Sequence, residues 1–209
     1  MLYSKDLLIE LVKINMQEGF SPIDATLEQV SGPRIGSYIE QKLPEAIMQV
    51  FCDAPVYLLE QCDASSILTP NKNQNGSGEV ILPDDMLRLT LFKMKGWERA
   101  VTRFYPADSP TAELQTNVYT MAGRAKPVAI LSLSHEGERV LKYYSLPPEV
   151  QNHEIEDALY VKIPDISKPI EINELLLPSI TYLTAAMVFD IMGEVERAAI
   201  MRANITIKQ

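Results

Sequence analysis

Two histidines are the first residues whose side chains could do acid–base or metal chemistry. His135 stands apart from other ligand-type residues, whereas His153 is followed by Glu154, Glu156 and Asp157. Protein metal sites draw three or more ligands together at defined spacing, and no such spacing occurs around either histidine. A loose cation site at His153 is conceivable, but a solvated acidic loop fits the pattern better. We therefore predict no metal site.

The adjacent carboxylates Asp84 and Asp85 are the second feature, because paired carboxylates catalyse glycoside hydrolysis. Neighbouring residues in a turn usually point apart, so this pair, which follows Pro83, predicts a tight turn instead. The Gly-Ser-Gly run at 76–78 lacks the Lys-Ser/Thr ending of a phosphate-binding loop. No Gly-x-Ser-x-Gly hydrolase elbow occurs in the sequence. These patterns predict no catalytic residue and no cofactor, and we expect the chain not to be an enzyme.

Composition and charge limit the kinds of partner and the compartment that fit this chain. The 209 residues carry a net charge of −9, which argues against a protein that grips nucleic acid through its phosphates. The two cysteines, Cys52 and Cys62, have no Cys-x-x-Cys spacing, and the first residues do not resemble a secretory signal. They are expected to be reduced, buried thiols in a cytoplasm. The uncharged run at 175–189 is shorter than the ~20 apolar residues of a membrane span, so it predicts a buried helix.

Helices are predicted near both ends of the chain. Apolar residues at helical spacing indicate helices over about 5–18, 22–30 and 34–53, with Pro44 expected to kink or split the third. A helix apolar nearly all round should begin between Asn173 and Pro178, break at Gly193 and continue in a final helix. The tail from Asn204 to Gln209 has no packing pattern and is expected to be exposed.

The middle of the chain has the short runs that are typical of strands, bounded by turn residues. Leu87, Leu89 and Leu91 alternate with Arg88 and Thr90, which predicts one buried and one solvent-exposed face. The pattern changes phase at Phe92, which predicts a bulge there. Strands are predicted at 56–60, 79–82, 87–95, 99–105, 117–121, 127–133 and 139–144. The fold class is therefore α+β, a helical bundle from both termini with an inserted antiparallel β module. The predicted parts are N-terminal helices (1–55), the β module (56–146), a connecting segment (147–172) and C-terminal helices with the tail (173–209).

Candidate interface residues come from three sources. Trp97, the only tryptophan, is a packing anchor at a turn or an interface hot spot. Five basic residues fall in the strand region of an acidic chain, either as a solvated face or as a patch for an acidic neighbour such as a second copy. The tail supplies exposed apolar positions. The candidates are Trp97, Arg88, Lys93, Lys95, Arg99, Arg103, Asn204, Ile205 and Ile207.

Packing patterns in a fixed order carry a family resemblance over most of the chain. The segments are residues 7–12, 35–47, 53–55, 81–89 with Gly96-Trp97, 115–120, 125–129, 141–145 and 183–194 with Arg197-Ala198. In this order they resemble the head–tail adaptor proteins of tailed bacteriophages, the connector or tail-tubular type that forms the neck ring. The loop at 71–78 and the stretch at 147–170 depart from the family pattern.

The resemblance implies a structural virion protein without catalytic residues. It implies a closed ring of identical subunits, typically twelve, that joins the portal protein to the tail or to a second neck ring protein. Encapsidated DNA would pass through the channel without specific binding, and no membrane would be involved. The protein would be made in the host bacterial cytoplasm and reside in the virion neck. Two alternatives stay open: an enzyme with an acidic site, and a monomeric cytoplasmic binding module.

Overall fold

A computed structural model describes residues 1–18, 35–73, 76–117, 119–147 and 152–205, without the side chains of Gln17 and Glu18. Both helices and sheets are present, so the α+β prediction is confirmed. The chain divides into two compact units: a terminal unit, residues 1–60 with 163–209, and a central unit, residues 61–162. The predicted helix at 22–30 and the interface candidate Ile207 lie outside the described residues.

The terminal unit is mainly helical. Its helices α1 (Lys5–Glu18) and α2 (Ile35–Asp53) pack against α4 (Leu177–Met192), which also packs against α5 (Val195–Ala203). A two-stranded sheet pairs β1 (Leu2–Tyr3) with β10 (Ile170–Glu171). The helix α2 continues through Pro44 and is not split there.

Amphipathic spacing explains how these helices pack. In α1 the buried residues Leu8, Val12 and Met16 recur every four positions, while α4 buries side chains around most of its circumference. The side chains of Asn15 and Thr181 join α1 to α4 by a hydrogen bond of 2.9 Å. In the described ranges, no helix combines the length and the apolar character needed to cross a membrane.

The central unit contains two sheets that share one hydrophobic core. One has the order β2 (Cys62–Asp63), β9 (Ile155–Lys162), β5 (Met86–Met94). The other has the order β3 (Pro70–Lys72), β4 (Gly78–Ile81), β8 (Arg139–Tyr143), β7 (Ala129–Leu133), β6 (Tyr105–Pro106), with α3 (Pro110–Leu114) following β6. All pairs in both sheets are antiparallel except β6 with β7, which is parallel. Phe92, Met94, Leu141 and Tyr143 are fully buried in the core between the sheets.

The pairing of strand β5 with β9 contains three shifts of register, and each shift interrupts the regular alternation of side chains between the two faces of the strand. The predicted alternation is wrong at Thr90, which is buried next to buried Leu89. The register against β9 shifts between Leu89 and Leu91, just before Phe92, where the sequence predicts a bulge. The Thr90 hydroxyl donates to the Leu159 carbonyl and contacts the Gln61 amide oxygen at 2.7 Å. Its burial is therefore satisfied by hydrogen bonds.

The prediction that 147–172 is only a connecting segment is wrong. Residues 155–162 form β9, the middle strand of the three-stranded sheet, with Ala158, Tyr160 and Val161 buried. Of the acids that suggested a solvated loop, Glu154 and Glu156 are exposed and Asp157 is half-buried. Strand predictions also fail at 56–60, which contains a 3-10 turn (Val56–Leu58), and in the described part of 117–121, which forms turns and bends. In the predicted strand at 99–105, an isolated bridge joins Val101 to Phe92, and Tyr105 alone belongs to a strand, as the first residue of β6.

Neither cysteine forms a disulfide. Cys62 is half-buried, and Cys52 is exposed, so the prediction of a buried thiol is wrong for Cys52. Position 52 follows the core residue Phe51 on α2, and the next helical position points away from the packed stripe.

Candidate interaction surfaces

The basic residues of β5 do not form an isolated positive patch. Lys93 Nζ lies 2.7 Å from Glu156, and Lys95 Nζ lies 2.6 Å from Glu154. The hydrogen bond and the charge of Glu154 raise the pKa of Lys95. These cross-strand pairs balance positive charge with the acids of the β9 segment, so Lys93 and Lys95 have local partners.

The other basic candidates lie elsewhere in the central unit. Arg99 is exposed, and the exposed Arg103 places its guanidinium carbon 5.2 Å from the centre of the Tyr105 ring. Arg88 lies at the groove described below. In the tail, Asn204 is exposed and Ile205 half-buried. The candidates are therefore distributed over several places and do not form one site.

Trp97 is a core residue. Its side chain is 3% exposed, its Nε1 donates to the Tyr144 carbonyl at 3.0 Å, and its ring meets Phe92 edge-on at 5.8 Å between centroids. An interface hot spot needs surface that a partner can cover, and so little remains that we remove Trp97 from the interface candidates. Its position after the Gly96 turn, where φ is +104°, directs the indole inward instead.

An apolar groove opens where the two sheets end. On β7 the residues Ala129, Leu131 and Leu133 share one face by alternation, and Leu131 pairs with core residue Leu141. Exposure rises along this face from 0% at Ala129 to 37% at Leu131 and 67% at Leu133. The groove has a volume of about 660 Å³ and a lining of mostly apolar side chains from β5 and β7. We call it the sheet-end groove.

Two arginines and one aspartate give the sheet-end groove its charge. Arg88, Arg139 and Asp108 contribute to its lining. The Arg139 guanidinium donates to the carbonyls of Met86 at 2.7 Å, Pro83 at 2.8 Å and Asp84 at 3.1 Å, which fixes the predicted tight turn at the groove's rim. Because carbonyl groups carry no net charge, this bonding leaves the arginine cationic.

The terminal unit exposes a compact apolar corner between α4 and α5. Gly193 ends α4 with φ of +79°, and Glu194 N–H donates to the Phe189 carbonyl, which turns the chain sharply into α5. Ile191, Met192 and Val195 are exposed here by 44%, 39% and 70%. Glu194 and Glu196 flank Val195 in sequence. We call residues 191–196 the helix corner.

Tyr143 and His153 form a contact between two side chains that could take part in acid–base chemistry. The Tyr143 hydroxyl lies 2.7 Å from His153 Nδ1, and burial raises the pKa of Tyr143 to about 12. Burial, and next the charge of Lys72, lower the pKa of His153. His153 Nε2 is buried and has no hydrogen-bond partner among the described residues. Because the Tyr143 side chain is fully buried, a substrate could not reach its hydroxyl.

This pair predicts a pH-dependent stability. Folding lowers the pKa of His153 from its ordinary 6.5, so below that pH the unfolded chain binds a proton more readily than the folded chain. The free energy of unfolding is therefore not reduced by His153 above about pH 6.5, and it declines as the pH falls below that value. We expect His153→Gln to flatten the dependence of unfolding free energy on pH between about 5 and 7, as measured by urea titrations. His135→Gln, at an exposed position, should retain the wild-type slope; equal slopes in wild type and His153→Gln would contradict the assignment.

Metal ligands do not converge in the part of the chain that the structure describes, where no group of three or more His, Cys, Asp or Glu side chains could hold an ion. No protein-family model and no curated protein matches this chain. The sheet-end groove and the helix corner are thus exposed apolar surfaces of the described residues that could serve a function.

Proposed function

We propose that this chain is a structural subunit of a bacteriophage head–tail connector, which assembles with copies of itself into a neck ring between portal and tail. The sheet-end groove is the single observation that carries the proposal. Its apolar inner-face residues Leu131 and Leu133 are 37% and 67% exposed, and such surfaces commonly mark protein contacts. The choice of this family rests on the resemblance in the order of packing patterns along the sequence.

A closed ring requires each subunit to present two different surfaces, because head-to-tail contacts are heterologous. The groove in the central unit and the corner in the terminal unit meet this requirement as separate, dissimilar surfaces. The net charge of −9 also suits a channel wall that should not hold passing DNA. A monomeric binding module would need only one such surface.

The proposed location can be tested in particles. Purified virions of the phage that encodes this chain should contain it in a fixed ratio to the portal protein, as measured by quantitative mass spectrometry. Gold-labelled antibodies should bind at the neck of particles whose tails have been detached. Absence of the chain from virions that contain portal and tail proteins would overturn the proposal.

The C-terminal tail is predicted to act in docking on the portal and not in folding. Helix α5 ends at Ala203, and Asn204 is exposed. We expect deletion of residues 204–209 to leave the thermal unfolding midpoint unchanged and to weaken co-sedimentation with the portal about tenfold or more. Replacing the same six positions by Gly-Ser repeats is the matched control for length. Unchanged co-sedimentation of both variants would exclude this role.

A further inference from the structure

We propose that a basic surface of the central unit binds the phosphate backbone of double-stranded DNA. This surface, which we call the loop patch, consists of four exposed cations: Arg99, Arg103, Arg124 and Lys126. The inference goes beyond the proposed function, because it concerns a single subunit in solution and does not depend on a ring. It rests on where the backbone places these cations, on their lack of carboxylate partners and on the polar character of their surroundings.

The backbone brings the two parts of the loop patch together. At one end, the N–H of Glu98 donates to the Arg124 carbonyl at 3.1 Å. At the other end, Tyr105 pairs with Ile130 in the parallel pair of β6 with β7, so both segments enter that pair from the same side. Six or seven residues separate the two connections on each segment, and such a length spans at most about 25 Å. The four cations therefore lie on one small region of the surface.

Local contacts hold these cations at the surface. The Lys126 N–H donates to the Gly123 carbonyl at 3.1 Å, so Arg124 lies in a tight turn. The guanidinium carbon of Arg103 lies 5.2 Å from the centre of the Tyr105 ring, which is the geometry of a cation–π contact. This contact restricts the Arg103 side chain and leaves its charge and its N–H donors available for a ligand.

The cations of the loop patch have no carboxylate partner within 4 Å among the described residues. In this they differ from Lys93 and Lys95, which are paired with acids of the β9 segment. The segments 98–105 and 124–130 contain four cations and one carboxylate, Glu98, so their net charge is +3. A positive surface of this kind attracts anions.

The local charge of the loop patch has the opposite sign to the charge of the whole chain. The chain carries a net charge of −9, which limits the affinity for any polyanion. At 0.1 M salt, however, exposed charges more than about 10 Å apart are largely screened, so a phosphate at the loop patch responds mainly to the local charge. We therefore expect weak binding that physiological salt removes. Such a contact would not hold DNA that passes through the proposed channel.

The surroundings of the loop patch favour duplex DNA over other acidic partners. A protein interface has an apolar centre, whereas no large apolar side chain is exposed in the segments 98–105 and 124–130. Single-stranded nucleic acid stacks on exposed aromatic rings, and Phe104 and Tyr105 are half-buried. Duplex DNA presents dense phosphates, and three of the four cations are arginines, which bind phosphate through two parallel hydrogen bonds.

Fluorescence anisotropy with a fluorescein-labelled DNA duplex tests the inference. The wild-type chain should bind a duplex of roughly 20 base pairs at about 25 mM salt, and a fourfold increase in salt should weaken binding about sixtyfold. This dependence corresponds to the release of about three counterions when the cations contact phosphates. Two duplexes of unrelated sequence should bind equally, because backbone contacts carry no sequence information.

A matched pair of variants separates the loop patch from net charge. The patch variant combines Arg99→Gln, Arg103→Gln, Arg124→Gln and Lys126→Gln. The control variant combines Lys5→Gln, Lys42→Gln, Lys162→Gln and Lys168→Gln, at lysines that are each paired with a carboxylate. Each variant loses four positive charges, which changes the net charge from −9 to −13.

The two variants are expected to differ clearly. The patch variant should bind the duplex at least about tenfold more weakly at low salt and lose most of the salt dependence, whereas the control variant should retain the wild-type salt dependence. The four patch positions are exposed, so folding should survive, and circular dichroism checks it. A third variant with lysine in place of the three arginines keeps the charge and should also retain the salt dependence.

Three results would overturn the inference. The first is a wild-type chain that does not bind the duplex at low salt at its highest soluble concentration, and the second is equal binding by the patch and control variants. The third is labelled polyglutamate bound as tightly as the duplex, which would identify an acidic protein as the partner. None of these results bears on the presence of the chain in purified virions, so failure of this inference and failure of the proposed neck function are distinguishable.

Discussion

Replacing Gly78 with alanine is expected to lower the free energy of unfolding of the central unit by about 3 kcal/mol or more. An added Cβ at this position would lie 2.2 Å from the Tyr143 hydroxyl oxygen, 2.4 Å from Tyr143 Cζ and 2.5 Å from the Asn71 carbonyl oxygen. The Tyr143 ring is fully buried and the Asn71 atom belongs to the backbone of β3, so neither can move cheaply. Glycine here lets the aromatic ring lie across the sheet.

Urea unfolding followed by circular dichroism measures this loss. Gly123→Ala is the matched control in the same unit, because an added Cβ there meets nothing within 4 Å. The control should change the unfolding free energy by no more than about 0.5 kcal/mol. If Gly78→Ala is as stable as Gly123→Ala, the packing of Tyr143 over β4 is wrong.

Replacing Trp97 with alanine is expected to lower the free energy of unfolding of the central unit by about 3 to 5 kcal/mol. The indole is buried against Phe92, and its loss would leave a cavity and an unsatisfied Tyr144 carbonyl. Since Trp97 is the only tryptophan, the variant is followed by circular dichroism and not by fluorescence.

This prediction separates the two interpretations of Trp97. A core anchor affects stability, whereas an interface hot spot would affect partner binding and leave the isolated chain as stable as wild type. Tyr119→Ala, at a position that is 96% exposed, is the control for removal of an aromatic ring and should stay within about 0.5 kcal/mol of wild type. A Trp97→Ala variant as stable as this control would restore Trp97 to the interface candidates.

Local sequence signals predict α1, α2, α4 and α5, whereas the short helix α3 is not predicted. The spacing of Leu8 and Val12 predicts α1 with its observed bounds, and Gly193 marks the end of α4 because a left-handed residue is needed there. These signals work because the determining contacts lie within a few residues along the chain. The hairpin strands β7 and β8 are predicted for the same reason.

The missed elements depend on partners far away in sequence. Strand β9 pairs with β5, about seventy residues earlier. The acids Glu154 and Glu156, at and just before its start, suggest a loop until Lys93 and Lys95 are placed opposite them. The predicted strand at 99–105 fails because Val101 meets only Phe92 across a single bridge. The propensity of a residue for β-strands reflects how well its side chain fits a half-buried sheet surface. It does not indicate which strand will pair with that residue.

The interaction surfaces could be predicted only in part. The alternation of Leu131 and Leu133 around Ser132 predicts a strand face, but how far that face is exposed depends on neighbours that are distant in sequence, such as the first residues of β5. The density of basic residues predicts a positive patch, but Lys93 and Lys95 are paired with Glu156 and Glu154. The helix corner had a visible signal, since Val195 stands between two glutamates directly after the Gly193 break.

Electron microscopy of the chain mixed with its portal protein tests the central claim most directly. Class averages should show a rotationally symmetric collar on the portal, with repeats that correspond to copies of this chain, and no collar with portal alone. A monomer in the absence of portal is compatible with assembly on docking. Portal particles that carry no symmetric collar at any mixing ratio would contradict the proposed neck ring.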